Sequence, residues 1–150
     1  MKKETFILTL IFAFLNFAPN CQAFDVTNDK DNKKELIILL NYEGDNYSFY
    51  HKIKIGETKK DLAIQKEEKK LAKMMVYLSP LLDKEGNEIT KDKDGAPLKN
   101  GGKIYQDTLS TDEKALLMTI DKKEIKENGQ YRITNDGKSF AQEGEANTQK

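Results

Sequence analysis

The sequence predicts a mainly β fold, a small sandwich, on three observations. Residues 47–55, "YSFYHKIKI", alternate with period two: Tyr47, Phe49, His51, Ile53 and Ile55 fall on one face, and Ser48, Tyr50, Lys52 and Lys54 on the other. That is the pattern of a half-buried strand. The remaining apolar runs are short and are separated by clusters of Gly, Asn and Asp, the residues of tight turns. Beyond residue 23, only 59–78 carries helical spacing, and it also reads as strands.

The chain opens "MKKETFILTLIFAFLNFAPNCQAFD". Lys2 and Lys3 form a basic start, Phe6–Ala18 is a run of 13 residues broken only by Thr9 and Asn16, and Cys21-Gln22-Ala23 offers small residues at a cleavage site. Basic start, apolar run and small-residue site are the three parts of a secretory signal, and the run is short of the about 20 residues that span a bilayer. Residues 1–23 are therefore read as a signal peptide, and the protein as exported, to the periplasm or beyond. Cutting after Ala23 yields a soluble chain starting at Phe24. The alternative makes Cys21 the lipid-bearing cysteine of a bacterial lipoprotein anchored in the envelope, its only contact with a membrane. Residues 24–34 take in "DVTNDKDNKK", polar and charged, and read as a flexible tether.

Removing 23 residues leaves 127, one domain by length. Basic and acidic groups nearly cancel, at a net charge of about −1, and Arg132 is the single arginine. Balanced charge supplies no strong field for a polyanion such as nucleic acid, and the lysine-rich stretches all interleave acids, as solvated faces do. With Cys21 the only cysteine, no disulfide scaffold is available.

Within the domain, expected over 35–140, residues 35–42, "ELIILLNY", form a continuous apolar run suited to a strand buried on both faces. Residues 43–46 are a turn, so the first two strands make a hairpin. Then "TKKDLAIQKEEKKLAKMMVYLSP", 58–80, reads either as a helix over about 59–78 with Thr58 as its cap, giving an α+β alternative, or as strands "DLAIQ" and "AKMMVYL" around a charged turn. Two similar turns, 83–86 and 92–95, make 83–102 loop-rich. "KIYQDTL", 103–109, reads as a strand. Residues 110–113 have the form of a capping box, but "ALLMTI" is apolar on all sides and fits a buried strand better. Strands 130–134 and 138–141 flank an "NDG" turn, and residues 141–150 read as a disordered tail.

Met118, Ile120, Gly129, Tyr131 and Ile133 resemble the E-strand, corner and F-strand of immunoglobulin-like sandwiches, in which the pattern is apolar-x-apolar, a polar arm, then Asp-x-Gly-x-Tyr-x-Cys. The resemblance covers 16 residues, 118–133. It implies a tyrosine corner, in which Tyr131 packs at the sandwich edge and its hydroxyl bonds a backbone group a few residues upstream. Glu127 stands where the family has Asp, and Ile133 replaces its second cysteine.

Chemistry is sparse. His51 is the only histidine, sits mid-strand, and would have to serve as base in any Ser–His–Asp triad; it reads as a half-buried strand residue. "TKDKDGAPLKNG", 90–101, places Asp92, Asp94 and Gly95 at positions 3, 5 and 6 of a calcium loop, but Thr90 and Gly101 stand at positions 1 and 12, where strong ligands are needed. It reads as a polar turn. No catalytic, cofactor or metal residue is assigned. The expected function is non-enzymatic binding of a protein partner through loops or an edge strand, with Tyr50, Asp83, Asp92 and Asp94 as contacts. The alternative is a lipid-anchored structural or accessory subunit of an envelope assembly such as a secretion or pilus apparatus.

Overall fold

The computed structural model describes residues 22–143, and all of its regular elements are strands or short 3-10 turns. Residues 1–21, and with them the leader and Cys21, lie outside the described residues, as do 144–150.

The run 36–42 becomes β2 (Leu36–Tyr42), buried at every position. It pairs antiparallel with β3 (Tyr47–Ile53) on one side and β6 (Lys69–Leu78) on the other. Gly44, at φ +81°, makes the turn of the β2–β3 hairpin. The fold is mainly β, and the helix alternative over 59–78 is overturned. That segment forms β4 (Thr58–Ala63), the two-residue β5 (Gln65–Lys66) and β6, with Glu67 and Glu68 both at positive φ in a two-residue hairpin turn. The helical spacing of Ile64, Leu71, Met75 and Leu78 was incidental. Met74, Met75, Val76 and Tyr77 are all buried, which a strand between two neighbours allows and a one-sided helix does not.

Beyond β6 lies β8 (Leu116–Asp121), and beyond β3 lies β7 (Lys103–Tyr105), completing a six-stranded antiparallel sheet. The strand expected over 103–109 stops at Tyr105, where a 3-10 turn, Gln106–Thr108, bends the chain. Against this sheet packs a four-stranded one in the order β10 (Ser139–Gln142), β9 (Gln130–Thr134), β1 (Ala23–Asn28), β4. Its β1–β9 pair is parallel. The shared core holds Phe24, Val26, Leu62, Tyr131 and Ile133 from the smaller sheet and Leu36, Ile38, Leu40, Phe49, Met74 and Val76 from the larger.

Two sequence expectations at the chain's ends need correction. Residues 24–34 are not a tether: β1 lies inside the smaller sheet, and Phe24 and Val26 are 1% and 0% exposed. The polar residues that suggested a tether are structural ties. Asn28 donates to the carbonyls of Lys34 and Ile53, at 3.1 and 3.2 Å, and Asn32 donates to Asn28 Oδ1 at 2.7 Å and the Ile133 carbonyl at 2.8 Å. Buried amides that satisfy buried carbonyls look, by composition alone, like solvated loop. At the other end, Ala141 and Gln142 belong to β10 rather than to a tail, and Glu143 is paired with Arg132.

The outer face of the six-stranded sheet is covered by residues 79–102 and 106–115, on either side of β7. Ile37, Leu39, Met75 and Tyr77 meet Leu81, Ile104, Leu109 and Ala115 in a second, smaller core. This cover is why β2 is apolar on both faces.

Candidate functional site

The cover is built from two hairpins of one design. Asp83 Oδ1 accepts from the N–H groups of Glu85 and Asn87, and nine residues on Asp92 Oδ1 accepts from those of Asp94 and Ala96. Gly86 and Gly95 take positive φ at the same place in each. The stems repeat as well: Ile89 N–H donates to the Leu81 carbonyl and Leu98 N–H to that of Thr90. Each turn is closed by its own aspartate, a local bond that Asp offers readily. The feet, Leu81, Ile89 and Leu98, pack in or against the second core, while the tips are exposed.

Beside the first hairpin runs an open groove of about 890 Å³ lined by Leu78, Ser79, Pro80, Lys84, Ser110 and Asp112, among others. The Ser79–Pro80 peptide is cis. His51 lies elsewhere, on β3, so the two groove serines have no histidine to act as base.

The sequence-predicted contact residues are not brought together into one site. Asp83 and Asp92 are engaged in their own turns, whereas Asp94 is open to solvent and pairs with Lys93 at 3.0 Å. Tyr50 does not present an exposed face, as the sequence suggested. It is half-buried against the second core, and its N–H and carbonyl bond Gly102 and Gly101 of the cover. Burial raises its pKa above the ordinary phenol value.

Tyr131 is fully buried, packs edge-on to Phe24 and stacks on Phe140, and its hydroxyl accepts from the Lys126 backbone N–H at 2.6 Å. A Cβ on Gly129 would lie 2.6 Å from the Tyr131 ring, so only glycine lets the chain pass under it.

His51 is half-buried, and its Nδ1 has no hydrogen-bond partner. Burial, then the nearby Lys59 and Lys66, hold its pKa down to about 4. A histidine neutral at pH 7 without a carboxylate to orient it lacks the third member of a triad. Among the described residues, no group of three or more His, Cys, Asp and Glu is placed to hold a metal ion.

Sequence reasoning missed one assembly. Lys66 Nζ sits 3.8 Å from the centre of the Phe49 ring, and Lys103 Nζ lies 5.0 Å from Tyr47 and 5.6 Å from Phe49. Lys93 approaches Tyr47 and Tyr105 at 5.9 and 6.0 Å. The alternation of "YSFYH" announced the aromatic row but not the lysines, which arrive from β5, β7 and the second hairpin.

The chain has no significant match to a protein-family model, to a curated protein or to a solved structure.

Proposed function

We propose that the chain is an exported, non-enzymatic β domain that binds a protein partner through the paired hairpins of its cover. The observation that carries this reading is the repeated hairpin itself: turns closed by Asp83 and Asp92, feet set in a second core, and tips left to solvent. Loops held stiff on a β scaffold bind at low cost in ordering. The groove under Lys84 adds a concave surface beside the first tip. Deleting 83–102 outright would uncover Ile37 and Leu39, so the test is a change confined to the tips. Lys84→Glu with Glu85→Lys and Asp94→Lys should abolish capture of a partner identified by mass spectrometry, with the thermal midpoint unchanged. Retention of every partner would refute the assignment.

The finer fold reading is an immunoglobulin-like corner between β8 and β9. The Tyr131–Lys126 bond and the tight passage at Gly129 support it.

The second reading, a lipid-anchored accessory subunit of an envelope assembly, is favoured by one observation. Ala23 is part of β1: its carbonyl accepts from Asn128 N–H at 2.8 Å, and the preceding Gln22 carbonyl accepts from Ile64 N–H at 3.0 Å. Cleavage after Ala23 removes both acceptors; processing at Cys21 keeps them. The intact mass of the exported form distinguishes a chain starting at Phe24 from an acylated one starting at Cys21. Label from a palmitate analogue, lost on Cys21→Ala, would identify the lipid.

A further inference from the structure

We propose that the free edge of β10 pairs antiparallel with the β10 edge of a second copy of this chain, about a two-fold axis at Ala141. The surface belongs to the smaller sheet and lies apart from the hairpin cover, so the inference does not rest on the function proposed above.

β10 ends the smaller sheet. The Glu143 N–H donates to the Gln130 carbonyl at 2.7 Å, and Gln142 lies opposite Tyr131. An antiparallel ladder alternates, so Ser139 and Ala141 turn their backbone groups toward β9, while Phe140 and Gln142 turn theirs outward. Among the described residues nothing bonds those outward groups. The same side of the molecule is an open groove of about 400 Å³ lined by Met118, Ile120, Tyr131, Phe140 and Gln142, among others. Met118 and Phe140 are only half-buried there.

The other edges are blunted or closed. β4 carries Lys59 and Lys60, Asp61 takes positive φ, and the register with β1 shifts, all devices that guard an edge. β5 has two residues and β7 three, and the Lys103 carbonyl of β7 already accepts from Lys93 N–H at 2.7 Å. β8 is irregular between its pairings with Val76 and Tyr77. β10 has neither a charge nor a register shift along Ser139–Gln142.

The strand's own sequence selects its partner. Lys138 precedes it and Glu143 follows it, both exposed. Antiparallel self-pairing sets the basic end of each strand beside the acidic end of the other, twice over. Lys138 has no carboxylate partner among the described residues, and Arg132 engages Glu143 through Oε1, which leaves Oε2 to the second copy. The outward groups fix the register. Phe140 opposite Gln142 of the second copy, and Gln142 opposite its Phe140, form two hydrogen-bonded pairs that satisfy every outward N–H and C=O. Ala141 then meets Ala141 across the axis, and the two Phe140 rings are diagonal neighbours. Such an isologous contact closes at two chains. The chain's own last residues, "GEANTQK", match the groove less well, since Ala146 is their one apolar residue. A pairing this short is smaller than a standard interface, so the dimer is weak and depends on concentration.

Sedimentation of the full exported chain, from micromolar to millimolar concentration, should show a monomer–dimer equilibrium. Gln142→Pro removes an outward donor and spares the bonds to β9; it should weaken association by more than about tenfold. Lys138→Glu should weaken it about fivefold, through two exposed pairs. Ala141→Lys and Ala141→Glu should each associate poorly alone, since like charges then face each other, but a mixture of the two should dimerise at least as well as wild type. The Phe140 and Gln142 amides should exchange quickly in dilute protein and slowly in concentrated protein. A monomer at every concentration, a dimer that survives Gln142→Pro, a mixture no better than either Ala141 variant alone, or exchange protection independent of concentration would each overturn the proposal. The surviving dimer would place the contact on another edge, and the constant protection would place the chain's own tail on this one.

Discussion

Asn32→Ala is the most informative single change in this domain. The Asn32 side chain makes three hydrogen bonds: to Asn28 Oδ1 at 2.7 Å, to the Ile133 carbonyl at 2.8 Å, and from the Asp136 N–H at 2.9 Å. Their loss is unequal. The Ile133 carbonyl keeps Asp29 N–H at 3.0 Å, and Asp136 is half-buried, within reach of water. Asn28 is 0% exposed and would retain no partner for its Oδ1. An orphaned buried acceptor costs ~1–3 kcal/mol, and each of the other two bonds contributes ~0.5–1, for a loss of about 3 kcal/mol. In a domain of this length that lowers the thermal midpoint by roughly 10 °C. Urea melts should show a reduced midpoint with an unchanged slope, while the exposed neighbour Lys33→Ala should be within about 0.5 kcal/mol of wild type. A loss below about 1 kcal/mol for Asn32→Ala would mean that residues 28–34 are loosely held, and that β1 is not locked between the sheets as described.

Two further outcomes are expected. Gly129→Ala sets a methyl group 2.6 Å from the Tyr131 ring. It should cost ~1–3 kcal/mol, as overpacking does, and much less in a Tyr131→Ala background, so a double-mutant cycle that proves additive would contradict the contact. His51 has a folded pKa of about 4 against an unfolded 6.5. Its depressed value means that the unfolded chain takes up the proton first. Stability is therefore full above pH 6.5 and declines as pH falls toward 4, by up to ~3 kcal/mol. His51→Gln should flatten that part of the stability profile, leaving the acid limb carried by Asp29 and Glu43, whose carboxyls Arg132 and Lys122 hold low. An NMR titration that finds His51 near 6.5 would refute the burial argument.

The legible parts of the fold are those in which one covered face writes a period into the chain. The unbroken apolar run of β2 announced cover on both faces, and the alternation of β3 announced one inner face. The sequence singled out Gly129 and Tyr131 only by resemblance to a corner pattern, with glycine as a turn residue; that the Tyr131 ring fills the space of a side chain at 129 is visible only in the structure. β1 was not readable: Asn28 and Asn32 are buried by bonding to backbone 25 and 101 residues away, and nothing local distinguishes them from loop residues. The second core was missed for a related reason. Leu81 and Ala115 belong to separate short apolar runs, Ile104 and Leu109 sit among mostly polar residues, and the four converge only when the cover folds over. The lysine–aromatic contacts were hidden because Lys66 and Phe49 come from different hairpins.

The parallel pairing of β1 with β9 sets a timetable. Asp25 lies beside Gln130, and Asn28 beside Ile133. β1 can pair with β4 once about 35 more residues have been made, but its parallel neighbour β9 exists only after about a hundred, roughly 5–20 s at ordinary elongation rates. Until then the core around Phe24 and Val26 lacks Tyr131 and Ile133. The smaller sheet of a nascent polypeptide with this connectivity is therefore completed only when nearly all of it has been made.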